Sequence, residues 1–66
     1  MSTLSILDSC LEKVSSKIRN LNDEELIGSY LDMLESRILE MPFGDMIYEH
    51  AFEVAQVKIQ ELKASH

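Results

Sequence analysis

Few side chains in this 66-residue chain have the types and spacing that catalysis or metal binding requires. His50 and Glu53 lie one helical turn apart, like half of a carboxylate-bridged metal site, but such sites use the order Glu-x-x-His and further inward-pointing glutamates. Cys10 is the single cysteine, and its position beside an apolar stripe is typical of a small hydrophobic packing residue. No Ser/His/Asp set, glycine-rich phosphate loop or zinc-ligand spacing occurs. The sequence therefore predicts a protein that is not an enzyme and that uses no metal and no cofactor.

Acidic side chains are the more prominent polar feature. The chain has a net charge of −6, and residues 21–53 hold nine acids against Arg37 alone, which gives this segment −8. Asp45, Glu49 and Glu53 are four residues apart, so on a helix they form one ridge of like charges that repel each other. Such a ridge either keeps a small protein in solution or docks on a basic protein surface, and its sign disfavours direct nucleic-acid binding. The predicted partner-binding residues are Asp23, Glu25, Asp32, Glu35, Asp45, Glu49 and Glu53.

Three segments with apolar residues at helical spacing predict the fold. The expected class is all-α, with three antiparallel helices at about 5–20, 23–41 and 45–63 in a helical bundle. Residues 1–66 are expected to form one small domain, since a chain of this length makes one domain at most and contains no Gly/Ser linker. No run of alternating apolar and polar residues indicates a strand.

Capping residues indicate where the three helices start. Asn22 can cap the second helix, and Glu25, three residues on, completes a capping box. Ser5 and Asp8 form a weaker pair of the same spacing for the first helix. Asp45 is the expected cap of the third helix.

The residues around the central helix predict how the chain enters and leaves it. Leu21 and Leu26 have the spacing of a hydrophobic staple. Pro42 and Gly44 end the helix, since the residue before a proline is pushed out of the α region. Phe43, between them, is expected to fold back onto the core.

The apolar seams of the first two helices predict self-association. In the first helix the seam runs from Leu4 to Leu21, and in the second it is widened to over a third of the circumference. A helix this apolar lies in the middle of a bundle or in an oligomer interface. A domain of this size without a disulfide is marginally stable alone, so we expect a homo-oligomer, most simply a homodimer. The predicted self-association residues are Ile27, Leu31, Leu34, Ile38, Leu7, Leu11 and Val14.

The third helix repeats the apolar pattern. Its expected seam steps four, three, four and three residues through Tyr48, Phe52, Ala55, Ile59 and Leu62. Ala51 and Ala55 are small enough to allow a neighbouring helix to approach closely.

The sequence also predicts where the protein works. No apolar run approaches the length that spans a bilayer, and the first ten residues lack the basic and long apolar regions of a signal peptide. A single cysteine fits a reducing compartment. We therefore expect a cytoplasmic protein that does not bind membranes.

Part of the chain resembles the Hha/YmoA family of small helical bacterial proteins. The match is carried by LEKV at 11–14, LNDEEL at 21–26, Tyr30 and Arg37. Where the family has Asp-His-Arg, this chain has Glu35, Ser36 and Arg37. The family's later segment with Pro and Trp is missing from this chain. Family members modulate transcription by binding nucleoid-associated silencers of the H-NS type, so the resemblance implies that Asp23, Glu25 and Glu35 face a basic partner. The segment 21–30 is also similar to the opening of Sda, a helical-hairpin inhibitor of a sporulation histidine kinase.

Composition and resemblance agree on one class of function. We expect a non-enzymatic regulatory or adaptor protein, bacterial or phage in character, that modulates a protein partner such as a transcriptional regulator. Two alternatives remain open. Lys13, Lys17 and Arg19 of the first helix can touch nucleic-acid phosphates, or the protein can be a purely structural homo-oligomer.

Overall fold

Three α-helices make up most of the computed structural model, which describes the backbone of residues 3–64 and the side chains of residues 5–64. They are α1 (Thr3–Arg19), α2 (Glu24–Arg37) and α3 (Gly44–Ala64), with a 3-10 helix (Ile38–Glu40) after α2. The described residues contain no strand, so the predicted all-α three-helix bundle is confirmed. Two short connections each reverse the chain, and α1 and α3 therefore run in the same direction.

Helix α1 starts earlier than the spacing of its caps predicted. Because the helix already includes Thr3, Ser5 and Asp8 lie inside it and the predicted capping pair was wrong. The apolar seam of α1 is buried or half-buried along its described length. The predicted seam position at Leu4 falls outside the described side chains.

Helix α3, rather than α2, is the element against which the other two helices pack. It contacts α1 most closely and also contacts α2, whereas α1 and α2 touch each other far less. Ala51 and Ala55 are fully buried, and their small side chains let the backbone of α1 come close, as predicted. The core consists of Leu7, Val14, Ile18, Ile27, Leu31, Leu34, Ile47, Ala51 and Ala55.

Asp23 caps α2, so the predicted cap at Asn22 was wrong by one residue. The Asp23 side chain accepts a hydrogen bond from the Glu25 backbone N–H at 2.8 Å. The Asp23 carbonyl accepts the first helical bond, from the Ile27 N–H at 3.1 Å. The shift moves Glu25 out of the third helical position, and the predicted capping box does not form.

The apolar surface of α2 is less buried than predicted. Leu26 is 52% exposed and Met33 is 41% exposed, so the predicted staple between Leu21 and Leu26 is wrong as well. The α-helical part ends at Arg37 rather than at residue 41. Because a 3-10 helix has three residues per turn instead of 3.6, the apolar periodicity breaks there and Leu39 is left 99% exposed.

A tight corner joins the 3-10 helix to α3. Gly44 is buried against the backbone of Ile38, and a Cβ on Gly44 would collide with the Ile38 carbonyl oxygen and lie 2.9 Å from its carbonyl carbon. Only a residue without a side chain fits this approach. The position therefore requires glycine for close packing and not only for ending a helix.

Phe43 occupies the N-cap position of α3. Its carbonyl accepts a hydrogen bond from the Ile47 N–H at 3.0 Å, so the predicted cap, Asp45, lies in the first turn instead. The φ angle of Phe43 is 58°, a left-handed conformation that is rare for a bulky residue. Phe43 is 40% exposed, and the prediction that it folds back onto the core was wrong.

The apolar seam of α3 is displaced from the predicted one. Ile47, Ala51 and Ala55 are buried, whereas Tyr48 is half-buried and Phe52 is 45% exposed. The Tyr48 and Phe52 rings contact each other with centroids 6.4 Å apart. Two apolar stripes overlap on this helix, and the stripe with the smaller side chains faces the core because it allows the closer approach of α1.

Replacing Gly44 by alanine is expected to destabilise the protein. The added Cβ pushes apart the backbones of Gly44 and Ile38, which should lower the free energy of unfolding by about 1–3 kcal/mol. Gly28 is the control, because it is exposed and no atom lies within 4 Å of a Cβ placed there. Gly28→Ala should raise stability by about 0.5–1 kcal/mol. Urea unfolding followed by circular dichroism measures both, and a Gly44→Ala variant as stable as the parent would contradict the described corner.

The position of the α2 cap can be tested in the same way. Asp23→Ala removes the side-chain acceptor for the Glu25 N–H and should cost about 0.5–2 kcal/mol of stability. Asn22→Ala, one residue earlier, should change stability by less than about 0.5 kcal/mol. The reverse ranking in thermal unfolding would restore Asn22 as the cap.

Candidate functional site

The seven predicted partner-binding acids are all exposed, and we call them together the acidic surface. Asp23 is partly engaged, because its carboxylate caps α2. Within residues 5–64, none of the acids from Asp23 to Glu53 forms a salt bridge. No salt bridge among the described residues compensates their charges, and they give this part of the molecule a negative potential, which is reduced near Glu53, where Arg19 and Lys58 line the same groove.

Residue spacing divides the acidic surface into two stripes. Glu25, Asp32 and Glu35 are seven and three residues apart, which places them on one flank of α2. Asp45, Glu49 and Glu53 follow each other at intervals of four along α3. Because α2 and α3 run antiparallel, Glu35 and Asp45 lie at the same end of the molecule. One end of each stripe therefore lies at the corner between these helices.

The predicted self-association residues lie mostly in the core of the single chain. Leu7, Val14, Ile27, Leu31 and Leu34 are each at most 9% exposed, and Leu11 and Ile38 are half-buried. Packing within one chain covers most of their surface, so little of it is accessible to a second copy. Self-association stays a prediction, and it would need another surface.

Ser15 and His50 form a polar link between α1 and α3 that the sequence did not indicate. Ser15 Oγ lies 2.7 Å from His50 Nε2, and the ring tautomer decides which group donates. Ser15 is only 6% exposed, and no carboxylate from Asp8 to Glu53 orients the other ring nitrogen. A catalytic serine needs contact with substrate and an oriented base. The pair therefore fits an interhelical hydrogen bond better than a nucleophile with its base.

The residues considered for metal chemistry are separated in the structure. His50 faces α1 through its bond to Ser15, and Glu53 is exposed. The described part of the chain holds no group of three or more His, Cys, Asp or Glu side chains that could bind a metal ion. Cys10 is half-buried beside the core of α1.

The basic residues at the end of α1 do not form one continuous surface. Lys13 and Lys17 are exposed and one helical turn apart. Arg19 instead lines a groove of about 310 Å³ between α1 and α3, together with Lys58 and Glu53. Acidic side chains thus lie close to Arg19, and this arrangement offers little continuous positive potential to a phosphate backbone.

A second flank of α2 is partly apolar. Leu26, Tyr30, Met33 and Arg37 step four, three and four residues and share this flank. Burial raises the pKa of the Tyr30 phenol above its usual 10.0, because the ionised form loses hydration. Tyr30 is therefore neutral at physiological pH and adds no charge to this flank.

Sequence reasoning missed a group of exposed apolar side chains between α2 and α3. Leu39 is 99% exposed, Phe43 is 40% exposed and Met46 is 53% exposed. We call these three residues the apolar corner. Pro42 signals that the helix ends nearby, but no feature of the sequence indicates the 3-10 turn that leaves Leu39 in solvent.

No family model, no curated protein and no solved structure matches this chain. The resemblance to the Hha/YmoA proteins and to Sda therefore stays a hypothesis. None of the helices in the described residues is long and apolar enough to cross a membrane.

The Ser15–His50 link should contribute to stability as a pair. Ser15→Ala leaves the half-buried ring without its partner, and His50→Ala leaves a buried hydroxyl unpaired, so each should cost about 1–3 kcal/mol. A double-mutant cycle measured by urea unfolding should give a coupling energy of about 0.5–1.5 kcal/mol. Additive effects of the two substitutions would show that the contact does not link the helices.

Proposed function

We propose that this protein is a small non-enzymatic regulator or adaptor of the cytoplasm that binds a basic surface of a protein partner through its acidic surface. The observation that carries this proposal is the exposure of seven acids on α2, α3 and the turn before α2, none of which is in a salt bridge within residues 5–64. A partner rich in lysine and arginine would supply the missing positive charge.

The acidic surface would mainly increase the rate and the specificity with which the protein binds its partner. An isolated exposed ion pair stabilises a complex by about 0–1 kcal/mol, so six or seven such contacts do not by themselves make a tight complex. A broad field of one sign instead steers an oppositely charged partner and disfavours negatively charged ones. Tight binding would then also need apolar contact next to the acids.

The class of partner follows from the resemblance described above. Hha/YmoA proteins bind nucleoid-associated silencers, so a transcriptional regulator with a basic surface is the partner that we propose. Direct binding of nucleic acid is less well supported, because Arg19 is separated from Lys13 and Lys17 and lies beside Glu53.

Reversing two charges of the α3 stripe tests the proposal. Glu49→Lys combined with Glu53→Lys should reduce recovery of the partner by about tenfold or more, because it places positive charge against a basic surface. The measurement is quantitative mass spectrometry of proteins retained from a lysate of the source cells by the tagged protein. Circular dichroism should show unchanged helix content, since both side chains are exposed.

The matched control reverses two acids of the same spacing on another helix. Asp8 and Glu12 are exposed and four residues apart on α1, so Asp8→Lys with Glu12→Lys makes the same change in net charge at a different place. This control should retain the partner. Equal retention by both variants would leave solubility as the role of the stripe, and equal loss would indicate a response to net charge alone.

A further inference from the structure

We propose that the apolar corner is the point at which the partner docks, and that the docking segment of the partner is a basic amphipathic helix. This inference rests on the proposed function and specifies which part of the surface anchors the partner. It is carried by the distribution of exposed apolar side chains and by the charges around them.

Exposed apolar side chains are concentrated at the apolar corner. Eight large apolar residues of the described chain are at least 40% exposed, and three of them fall between positions 39 and 46. The Ile38 backbone lies against Gly44, so the backbones of Leu39 and Phe43, which adjoin these two residues, are held at the same corner of the chain. Met46 follows Phe43 by one helical turn. Grouped apolar exposure of this kind marks interaction sites more often than single exposed residues do.

The backbone of Phe43 adds a second reason to assign binding to this corner. A φ of 58° is strained for a bulky side chain, and glycine would adopt it without that strain. Phe43 is 40% exposed and is not packed against the core cluster, so contact with the core does not explain why a phenylalanine occupies this position. An exposed aromatic side chain beside a closely packed corner is well suited to anchor a partner, because aromatic residues are common anchors of protein interfaces.

The charges around the apolar corner define the chemistry of its occupant. Glu40 follows Leu39 in the chain, Asp45 lies between Phe43 and Met46, and all of these are exposed. Glu35 near the end of α2 and Glu49 on α3 are exposed as well. A helix with apolar residues on one face and lysine or arginine at its flanks complements this pattern in both respects. A second copy of this chain fits less well, because each copy carries −6 and long-range repulsion opposes their approach.

The experiment uses a defined probe. A dye-labelled leucine–lysine peptide of about 18 residues, with leucines at helical spacing, presents one apolar and one basic face. A scrambled peptide of the same composition keeps the charge and removes the apolar face. Fluorescence anisotropy at physiological salt gives the Kd of each peptide for the parent protein and for Phe43→Gly, Leu39→Ser and Leu26→Ser.

The amphipathic peptide should bind the parent protein about tenfold or more tightly than the scrambled peptide does. Phe43→Gly and Leu39→Ser should each weaken its binding by a similar factor. Leu26→Ser is the matched control, since Leu26 is 52% exposed but lies at the opposite end of α2, and its Kd should stay within about twofold of the parent value. Circular dichroism should show the parental helix content for Phe43→Gly, because glycine adopts the left-handed conformation without strain, so that lost binding with retained helix content is not the result of unfolding.

Other outcomes separate this inference from the proposed function. Equal affinity for both peptides, or parental affinity in both corner variants, would overturn docking at the apolar corner. If either of these results were found and Glu49→Lys with Glu53→Lys nevertheless abolished peptide binding, the acidic surface alone would remain as the binding site. Failure of both peptides to bind would count against both proposals. A dimer in light scattering that Leu39→Ser abolishes would identify a second copy as the occupant and overturn the basic helix.

Discussion

The close contact between α1 and α3 is the interaction on which the rest of this structure depends. Ala51 and Ala55 of α3 are fully buried, and their small side chains bring the two helix backbones together. Ser15 is a similarly small buried residue on α1. The Ser15 hydroxyl would be costly to bury alone, and His50 supplies its hydrogen bond from α3. Helix α2 completes the core with Ile27, whose side chain is fully buried.

The choice of small residues for this contact determines what remains on the surface. Because the alanine side of α3 faces inward, its larger apolar residues, Met46 and Phe52, are 53% and 45% exposed. The acids at Asp45, Glu49 and Glu53 lie on the outer part of the same helix. Apolar and acidic side chains are thus interleaved on one exposed surface, and this mixture is complementary to the basic amphipathic helix that we propose as its partner.

Helical periodicity predicted the class and approximate extent of all three helices, but it could not choose between neighbouring alternatives. Asn22 and Asp23 are adjacent and both are good caps, so residue type alone does not decide which side chain accepts the hydrogen bond from the start of α2. On α3, two apolar stripes overlap, and the buried one is selected by how closely α1 approaches. Which stripe of α3 is buried therefore depends on α1, the helix that packs against it, rather than on the sequence of α3 alone.

Other features of the structure depend on contacts between particular residues, and a single sequence does not show which residues are in contact. The left-handed conformation of Phe43 stands next to the close approach of Gly44 to Ile38, and the propensity of phenylalanine alone argues against it. The exposure of Leu39 follows from a single turn of 3-10 helix. The acids could be predicted as exposed because charged side chains are rarely buried without a partner, whereas the apolar corner could not be, since apolar side chains are normally assigned to the core.

The link between Ser15 and His50 also has a consequence for the order in which the chain folds. The two residues are 35 positions apart, and bringing them together closes a loop that contains all of α2. Loop closure costs more entropy as the loop lengthens, while α2 and α3 are joined by a few residues and can pair locally. Folding should therefore begin with the α2–α3 hairpin, whose alanine face stays open to water until α1 docks. The helix that comes first along the chain is then the last to join the fold.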